Sequence, residues 1–146
     1  MRVLIQRISN GSVSVDQDMV AKEIGIGLMI FLGVGHDDNV EKAEALAKKI
    51  ANLRIFGDTE EKMNLSILDV KGQAIVVSQF TLFADTKKGN RPSFINAARP
   101  ELAVYLVNHF SDRLRTMGIS TQQGEFGAHM MVSLVNDGPV TIWIEN

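Results

Sequence analysis

Three side chains that could carry out chemistry stand near the ends of apolar segments: the hydroxyls of Ser78 and Thr81 and the imidazole of His129. A hydroxyl activated by an imidazole can attack ester or amide bonds. Ser78, however, lies in the apolar stretch VVSQFTL and not in the Gly-x-Ser-x-Gly turn that exposes such a nucleophile. Ser78 and Thr81 are therefore candidate nucleophiles or donors, with hydrogen bonding to the local backbone as the simpler alternative.

Other kinds of catalytic site have little support. The three histidines (His36, His109 and His129) are far apart, without His-x-x-x-His spacing or a carboxylate cluster, so no metal site is predicted. The absence of cysteine excludes thiolate nucleophiles and disulfides. Neither a phosphate-binding Gly-x-x-x-x-Gly-Lys motif nor a dinucleotide-binding glycine motif is present. We therefore expect no cofactor.

A Gly-Pro pair, Gly138-Pro139, separates two strand-like segments near the end of the chain. Proline cannot donate to a sheet ladder and glycine has no Cβ, so main-chain carbonyls and amides are exposed at this corner. X-Pro is also the peptide bond most commonly found cis. The corner is either a plain connection between strands or a binding element made of backbone.

The charge balance limits the contacts with nucleic acid. With 15 Lys and Arg against 17 Asp and Glu, the net charge is −2, which disfavours broad sequence-independent binding to phosphates. Any RNA contact must therefore be local, and the best candidate is the group Lys87, Lys88, Arg91 and Arg99. The alternative is a solvated loop that only carries charge.

The elements that must position these residues form one mixed domain over residues 1–146, because 45% hydrophobic composition and the lack of a linker indicate a single core. Without a signal peptide or a membrane-spanning apolar run, we expect a soluble cytoplasmic protein. Strands are predicted around Val3–Ile5 and Val13–Val15 with a turn signal at Asn10-Gly11, and over Ile24–Val34, Gln73–Thr81, Met130–Val135 and Val140–Ile144. A short segment, Met63–Val70, precedes the strand Gln73–Thr81.

Two helices are predicted from apolar periodicity and end signals. The first begins at Asp38 as the cap, with Glu41 as its capping-box partner. The second begins with Pro100 at its first position and ends at Gly118 as a left-handed residue. Their buried faces are Ala43, Leu46, Ala47, Ile50 and Leu53 in the first and Leu102, Leu106, Phe110, Leu114 and Met117 in the second.

Two segments in the correct order resemble the signature motifs of one family. VSQFTLFAD (Val77–Asp85) and NDGPVT (Asn136–Thr141) are similar to the motifs of the D-aminoacyl-tRNA deacylase family, also called D-tyrosyl-tRNA(Tyr) deacylases. The resemblance covers nearly the whole chain, and it includes the segments MRVLIQR, LGVG, NLRIF, RPSF and GEFGAHMMVSLVNDGPVT.

The resemblance implies an α/β (α+β) fold with a β-barrel-like sheet and two main helices, assembled as an obligate homodimer. It implies that Gly138-Pro139 is cis and enters the partner's pocket. The other implied site residues are Ser78, Gln79, Phe80 and Thr81 in the pocket and Phe126, Gly127, Ala128 and Met130 near the terminal adenosine.

The implied activity is hydrolysis of the ester between a D-amino acid and the 3' acceptor end of a tRNA. A rigid backbone wall rejects L side chains by collision, so glycyl-tRNA, including glycine mischarged on tRNA(Ala), is a predicted second substrate. We expect amides near Phe80 and Thr81 to polarise the carbonyl, while the 2'-hydroxyl of the terminal adenosine assists water. Two alternatives are an esterase for small D-aminoacyl esters with Thr81 as nucleophile and a non-catalytic dimeric interaction module.

Overall fold

A computed structural model describes residues 1–146 and contains eight strands, two α-helices and a short 3-10 helix. The elements in chain order are β1 (Arg2–Val15), β2 (Asp18–Ile24), β3 (Gly27–Gly33), α1 (Val40–Ala51), β4 (Phe56–Gly57), β5 (Met63–Leu65), β6 (Gln73–Ser78), the 3-10 helix (Phe80–Phe83), α2 (Pro100–Thr116), β7 (Ser120–Gln123) and β8 (Met130–Glu145). Neither helix is long and apolar enough to cross a bilayer.

Six strands form a mixed sheet in the order β2-β1-β3-β6-β7, and the sixth strand, β8, pairs with β1. Strand β3 pairs with residues 2–8 of β1 and β2 with residues 11–15, whereas β8 pairs along the whole of β1. Strand β1 is antiparallel to its three neighbours, whereas β3, β6 and β7 run parallel. The Gln122 side chain accepts a hydrogen bond from the Lys22 amide at 2.8 Å and donates one to the Lys22 carbonyl at 3.1 Å. These bonds link β7 to β2, so the sheet is nearly closed, which confirms the predicted barrel-like α/β fold.

Two hydrophobic cores hold the sheet and helices together. The larger core lies between the sheet and the two helices, and it contains the predicted buried faces of α1 and α2. The smaller core is built on the strands, and partly buried side chains of β8 pack against it. Its fully buried members are Ile8, Val13, Ala21, Ile24, Met29, Ile75 and Val77.

The helix ends agree with the sequence at one helix and differ at the other. Pro100 occupies the first turn of α2, and Gly118 follows the helix with a φ of 92°, as predicted. At α1 the predicted cap was wrong, because Asn39 accepts the Lys42 amide. Asp38 is buried instead and accepts hydrogen bonds from the Met1 ammonium and the Gly35 amide, both at 2.7 Å. A partner 37 residues away in the chain thus determines what this carboxylate does.

Two predicted strand boundaries also differ from the structure. Strand β1 runs straight through Asn10-Gly11, which pair with β8, and the hairpin turns instead at Asp16-Gln17, both with positive φ. The segment 24–34 is divided between β2 and β3. At the start of β3 a Cβ on Gly27 would overlap the Gln73 carbonyl, so glycine allows β3 to pair closely with β6.

The predicted strand Gln73–Thr81 was too long, because β6 ends at Ser78. The short segment 63–70 begins with β5, Met63–Leu65. The Gln79 amide still donates to the Leu32 carbonyl at 2.8 Å, but the chain then tightens into the 3-10 helix. Phe80 and Thr81 therefore lie in a helical turn and not in the predicted strand.

Candidate active site

A largely apolar cavity of about 580 Å³ opens where β6 ends. Strands β3 and β6 are parallel, with Leu32 opposite Ser78, so both strands end at the same edge of the sheet. This edge is the usual ligand position in sheets with parallel strands. The lining comprises Val34, Val77, Ser78, Gln79, Phe80, Phe94, Ala97, Ala98, Pro100, Ala103, Phe126, Gly127, Ala128, His129, Met130 and Val132.

The 3-10 helix is anchored by its last residue. The Phe83 ring is 8% exposed, and a Cβ on Gly35 would lie 2.9 Å from it, so only glycine lets the two segments pack this closely. The Arg2 guanidinium lies 4.5 Å from the centre of the same ring and donates to the Leu82 carbonyl at 3.2 Å. Packing from both sides thus fixes the turn that presents Phe80 to the cavity.

An aromatic pair forms part of the rim of the cavity. Phe80 is 55% exposed, and its ring meets that of Phe94 edge-on, with the ring centres 5.0 Å apart. Phe94 comes from the long loop before α2. The contact therefore joins the 3-10 helix to that loop and places an apolar surface at the cavity mouth.

The polar groups of the cavity do not form a nucleophile-base pair. His129 is the only titratable side chain in the lining, and no hydrogen bond joins it to Ser78 or Thr81. Thr81 does not line the cavity; its hydroxyl accepts a hydrogen bond from the Gln79 side-chain amide. The amides of Phe80 and Thr81 head the 3-10 helix, where the first amides have no carbonyl partner within the helix.

The segment from Phe126 to Met130 forms the opposite part of the lining. It leaves β7 through a turn in which the Ala128 amide donates to the Glu125 carbonyl at 3.3 Å and Gly127 has a φ of 77°. Met130 then begins β8 and packs against the smaller core. The resemblance pointed to this segment, and the structure brings it to the same cavity as Ser78.

The Gly138-Pro139 peptide bond is cis, and the corner does not line the cavity of its own chain. Residues 137–140 bulge out of β8, because the flanking pairs are Gln6 with Thr141 and Ile8 with Asn136. All of Asp137, Gly138 and Pro139 are exposed. The corner therefore points away from the body of the subunit.

The base of this corner is held by hydrogen bonds and an ion pair. The Asn136 side-chain amide donates to the Arg7 carbonyl at 2.9 Å and the Val140 carbonyl at 3.0 Å, which ties together both ends of the bulge. The Arg7 guanidinium lies 2.9 Å from the Asp137 carboxylate and donates to the Ile55 carbonyl at 2.6 Å. The backbone between Asn136 and Val140 is thus fixed from both sides.

Sequence reasoning identified two of the segments that line the cavity and missed a third. Phe94, Ala97 and Ala98 lie on the loop before α2, and Pro100 and Ala103 belong to its first turn. The available signals were the RPSF segment within the resemblance and the presence of apolar residues in a loop otherwise rich in charge. Neither signal shows that this loop folds over the end of β6.

The fold and the site define a class of α/β proteins with a nearly closed mixed sheet and a cavity at its strand ends. Among solved structures, the c-Myc DNA Unwinding Element Binding Protein superposes with a TM-score of 0.93 at 37% identity, covering 100% of this chain and 99% of that one. A structure described as a probable eukaryotic D-amino acid tRNA deacylase gives 0.83 over 98% and 97% of the chains. Its 17% identity supports the fold alone.

The sequence comparisons narrow this class to one family. The family described as D-Tyr-tRNA(Tyr) deacylase matches residues 4–145. A D-aminoacyl-tRNA deacylase of Thermomicrobium roseum is 56% identical, over 100% of this chain and 94% of that protein. One of Chloroflexus aurantiacus is 57% identical, over 100% and 91%. The chain belongs to the D-Tyr-tRNA(Tyr) deacylase family.

Proposed function

We propose that this protein hydrolyses the ester between a D-amino acid and the 3' end of a tRNA, and that it acts in the cytoplasm. The observation that carries the proposal is a single cavity lined by both Ser78–Phe80 and Phe126–Met130. Its volume of about 580 Å³ is in the range that holds small ligands, which suits the amino acid and the terminal nucleoside but not a folded RNA. Membership in the family supports the same activity.

In the proposed reaction, the amides of Phe80 and Thr81 polarise the ester carbonyl. A water oxygen bonds to the carbonyl carbon, the bond to the 3' oxygen breaks, and that oxygen takes a proton. One oriented donor to the developing oxyanion is worth ~3 to 4 kcal/mol, and the 2'-hydroxyl of the terminal adenosine is well placed to assist the water. This route is compatible with a cavity that has no nucleophile-base pair, because it requires no protein side chain as general base.

We further propose that Gly138-Pro139 of a second copy completes the site. The corner is exposed, fixed at its base and separate from the cavity of its own chain. The same outward face of β8 carries Met131, Val135 and Trp143, which are 62%, 53% and 47% exposed. A row of exposed apolar side chains favours burial against another protein surface. A homodimer would cover the row and bring each corner to the other subunit.

A backbone wall at the chiral centre would select by handedness. An L side chain would collide with it, whereas a D side chain would point elsewhere, so many D-amino acids would be accepted. Glycine has no side chain to collide, and we therefore propose glycyl-tRNA, including glycine on tRNA(Ala), as a second substrate. The lining contains no Asp, Glu, Lys or Arg side chain that would restrict the D side chain to one chemistry.

The decisive experiment compares release from D-tyrosyl-tRNA and L-tyrosyl-tRNA by the same preparation. We expect rapid release of D-tyrosine only. Equal release from both would refute the backbone gate, and no release from either would support a non-catalytic module. A covalent acyl-enzyme together with hydrolysis of small D-aminoacyl esters would support the Thr81 esterase. Thr81 lies outside the cavity lining, which disfavours that last alternative.

A further inference from the structure

A closed loop rich in cations stands next to the cavity. Asp85 and Ser93 exchange two backbone hydrogen bonds, at 2.8 and 2.9 Å, so residues 86–92 form a short excursion with a fixed base. We call residues 86–92 the cationic loop. It carries Lys87, Lys88 and Arg91, all exposed.

These cations have no partners within the chain. None of the three takes part in an ion pair or a side-chain hydrogen bond. The nearby Asp85 carboxylate accepts the Lys87 backbone amide at 2.9 Å and does not bind a cationic side chain. In a chain with a net charge of −2, this loop is thus a local concentration of positive charge that the fold leaves available.

Both ends of the cationic loop lead directly into the wall of the cavity. Before it, Asp85 follows the 3-10 helix that presents Phe80. After it, Phe94 packs against Phe80 and lines the cavity. Arg91 is three residues from Phe94, which limits their Cα separation to about 11 Å. The loop that carries these charges therefore borders the part of the wall that contains Phe94.

We infer that the cationic loop binds the phosphodiester backbone of the RNA substrate as it leaves the cavity. This inference rests on the proposed function. A cavity of about 580 Å³ holds the terminal nucleoside and amino acid, so the rest of the RNA must cross the rim. An acidic protein repels phosphates, and unpaired lysines and arginine at the rim offset that repulsion where the strand emerges. Such contacts position the RNA without reading its sequence.

The test compares two adjacent lysine pairs with the same charge change. One variant carries Lys87→Gln and Lys88→Gln; the control carries Lys48→Gln and Lys49→Gln, on exposed positions of α1 outside the cavity lining. Each is assayed with D-tyrosyl-tRNA and with the D-tyrosyl ester of adenosine alone, over a range of salt concentrations. Binding of uncharged tRNA is measured by fluorescence anisotropy in parallel.

For the loop variant we expect a severalfold higher KM on the tRNA substrate, an unchanged kcat, and no change on the adenosine ester. The negative slope of log kcat/KM against log salt should become shallower by ~1.4, since each single-strand phosphate contact contributes ~0.7. The control should keep the wild-type slope. Equal effects in the two variants, or equal losses on the two substrates, would overturn the inference. Loop-dependent binding of uncharged tRNA without any hydrolysis by the wild type would support this contact while refuting the proposed function.

Discussion

At the scale of single residues, the cavity separates side chains that the sequence had grouped. Ser78 and Gln79 face the cavity, whereas Thr81 lies outside its lining and accepts a hydrogen bond from Gln79. The Thr81 hydroxyl held in this way can orient the glutamine amide, but the side chain does not line the cavity where an ester would lie. One of the two candidate nucleophiles, the Thr81 hydroxyl, thus supports Gln79 from outside the cavity lining.

The first prediction concerns this hydroxyl. Thr81→Ala should keep substantial deacylase activity, because the proposed step uses the backbone amide at that position and water as the nucleophile. Replacing the 2'-hydroxyl of the terminal adenosine by hydrogen should remove most of the activity. Single-turnover release of D-tyrosine from the two tRNA forms measures both effects. An inactive Thr81→Ala protein that remains active on the deoxy substrate would reverse this assignment.

Asp38 illustrates how a buried carboxylate stays charged. Burial favours its protonated form, but hydrogen bonds from the Met1 ammonium, the Gly35 amide and Lys42, together with the charge of the ammonium, outweigh that effect and hold the pKa of Asp38 below its ordinary value of 3.8. The stability that comes from this lowered pKa is complete well above 3.8. It is lost as the pH falls through the lowered value.

The second prediction follows from the lowered pKa of Asp38. Asp38→Asn should reduce the free energy of unfolding near neutral pH by about 1.5 to 3 kcal/mol, since a charged acceptor of several hydrogen bonds is lost. The difference from the wild type should shrink once the pH lies below the ordinary pKa. Urea unfolding followed by circular dichroism across the acid range measures it. A difference that stays constant down to acid pH would contradict the charged state of Asp38.

At the scale of elements, the bulge in β8 is the most specific feature. Strand β8 pairs with β1 on both sides of residues 137–140, its register shifts across this bulge, and Asp137, Gly138 and Pro139 are exposed there. Asn136 bonds to carbonyls at both ends of this excursion, so the element behaves as a braced corner and not as a flexible loop. A backbone segment that selects by steric collision must be rigid, because a flexible one would admit both D- and L-aminoacyl groups.

The third prediction tests the brace. Asn136→Ala should lower the free energy of unfolding by about 1 to 3 kcal/mol, because the side-chain amide loses two donated bonds, to the Arg7 and Val140 carbonyls, and two accepted ones, from Gln6 and Thr141. It should also reduce the ratio of D- to L-tyrosyl-tRNA hydrolysis. Asn64→Ala is the matched control, since Asn64 also bonds through both ends of its amide, to Asp58 at 2.6 Å and Arg54 at 2.9 Å. Thermal unfolding and rates on both substrates separate the two. A normal D/L ratio in Asn136→Ala would mean that the corner needs no brace.

At the scale of the whole molecule, one chain holds a cavity and a corner that do not meet. The outward face of β8 that bears the corner also exposes Met131, Val135 and Trp143. Selectivity and assembly should therefore depend on the same surface, because the dimer that hides the apolar row would also deliver the corner. The proposed active site would then be a property of the pair.

The fourth prediction follows for the assembly. Met131→Arg should place a charge in the proposed interface and give a monomer by light scattering. The monomer should hydrolyse D-tyrosyl-tRNA more slowly and with a smaller preference over L-tyrosyl-tRNA. Met63→Arg is the control, since Met63 is similarly exposed, at 57% against 62%, but lies in β5 away from β8. A monomeric wild-type protein with full D selectivity would exclude completion of the site by a second copy.

The sequence by itself determined the family, the place and faces of both helices, and the segments around Ser78 and Met130, because these depend on local periodicity and on motifs. It did not determine the cap of α1, the end of β6 or the position of Thr81. Those depend on distant partners: Met1 engages Asp38, and Phe83 packs between Gly35 and Arg2. Only the tertiary structure brings the loop with Phe94 to the cavity and keeps the Gly138-Pro139 corner out of it, since contacts between residues far apart in the chain leave no local pattern.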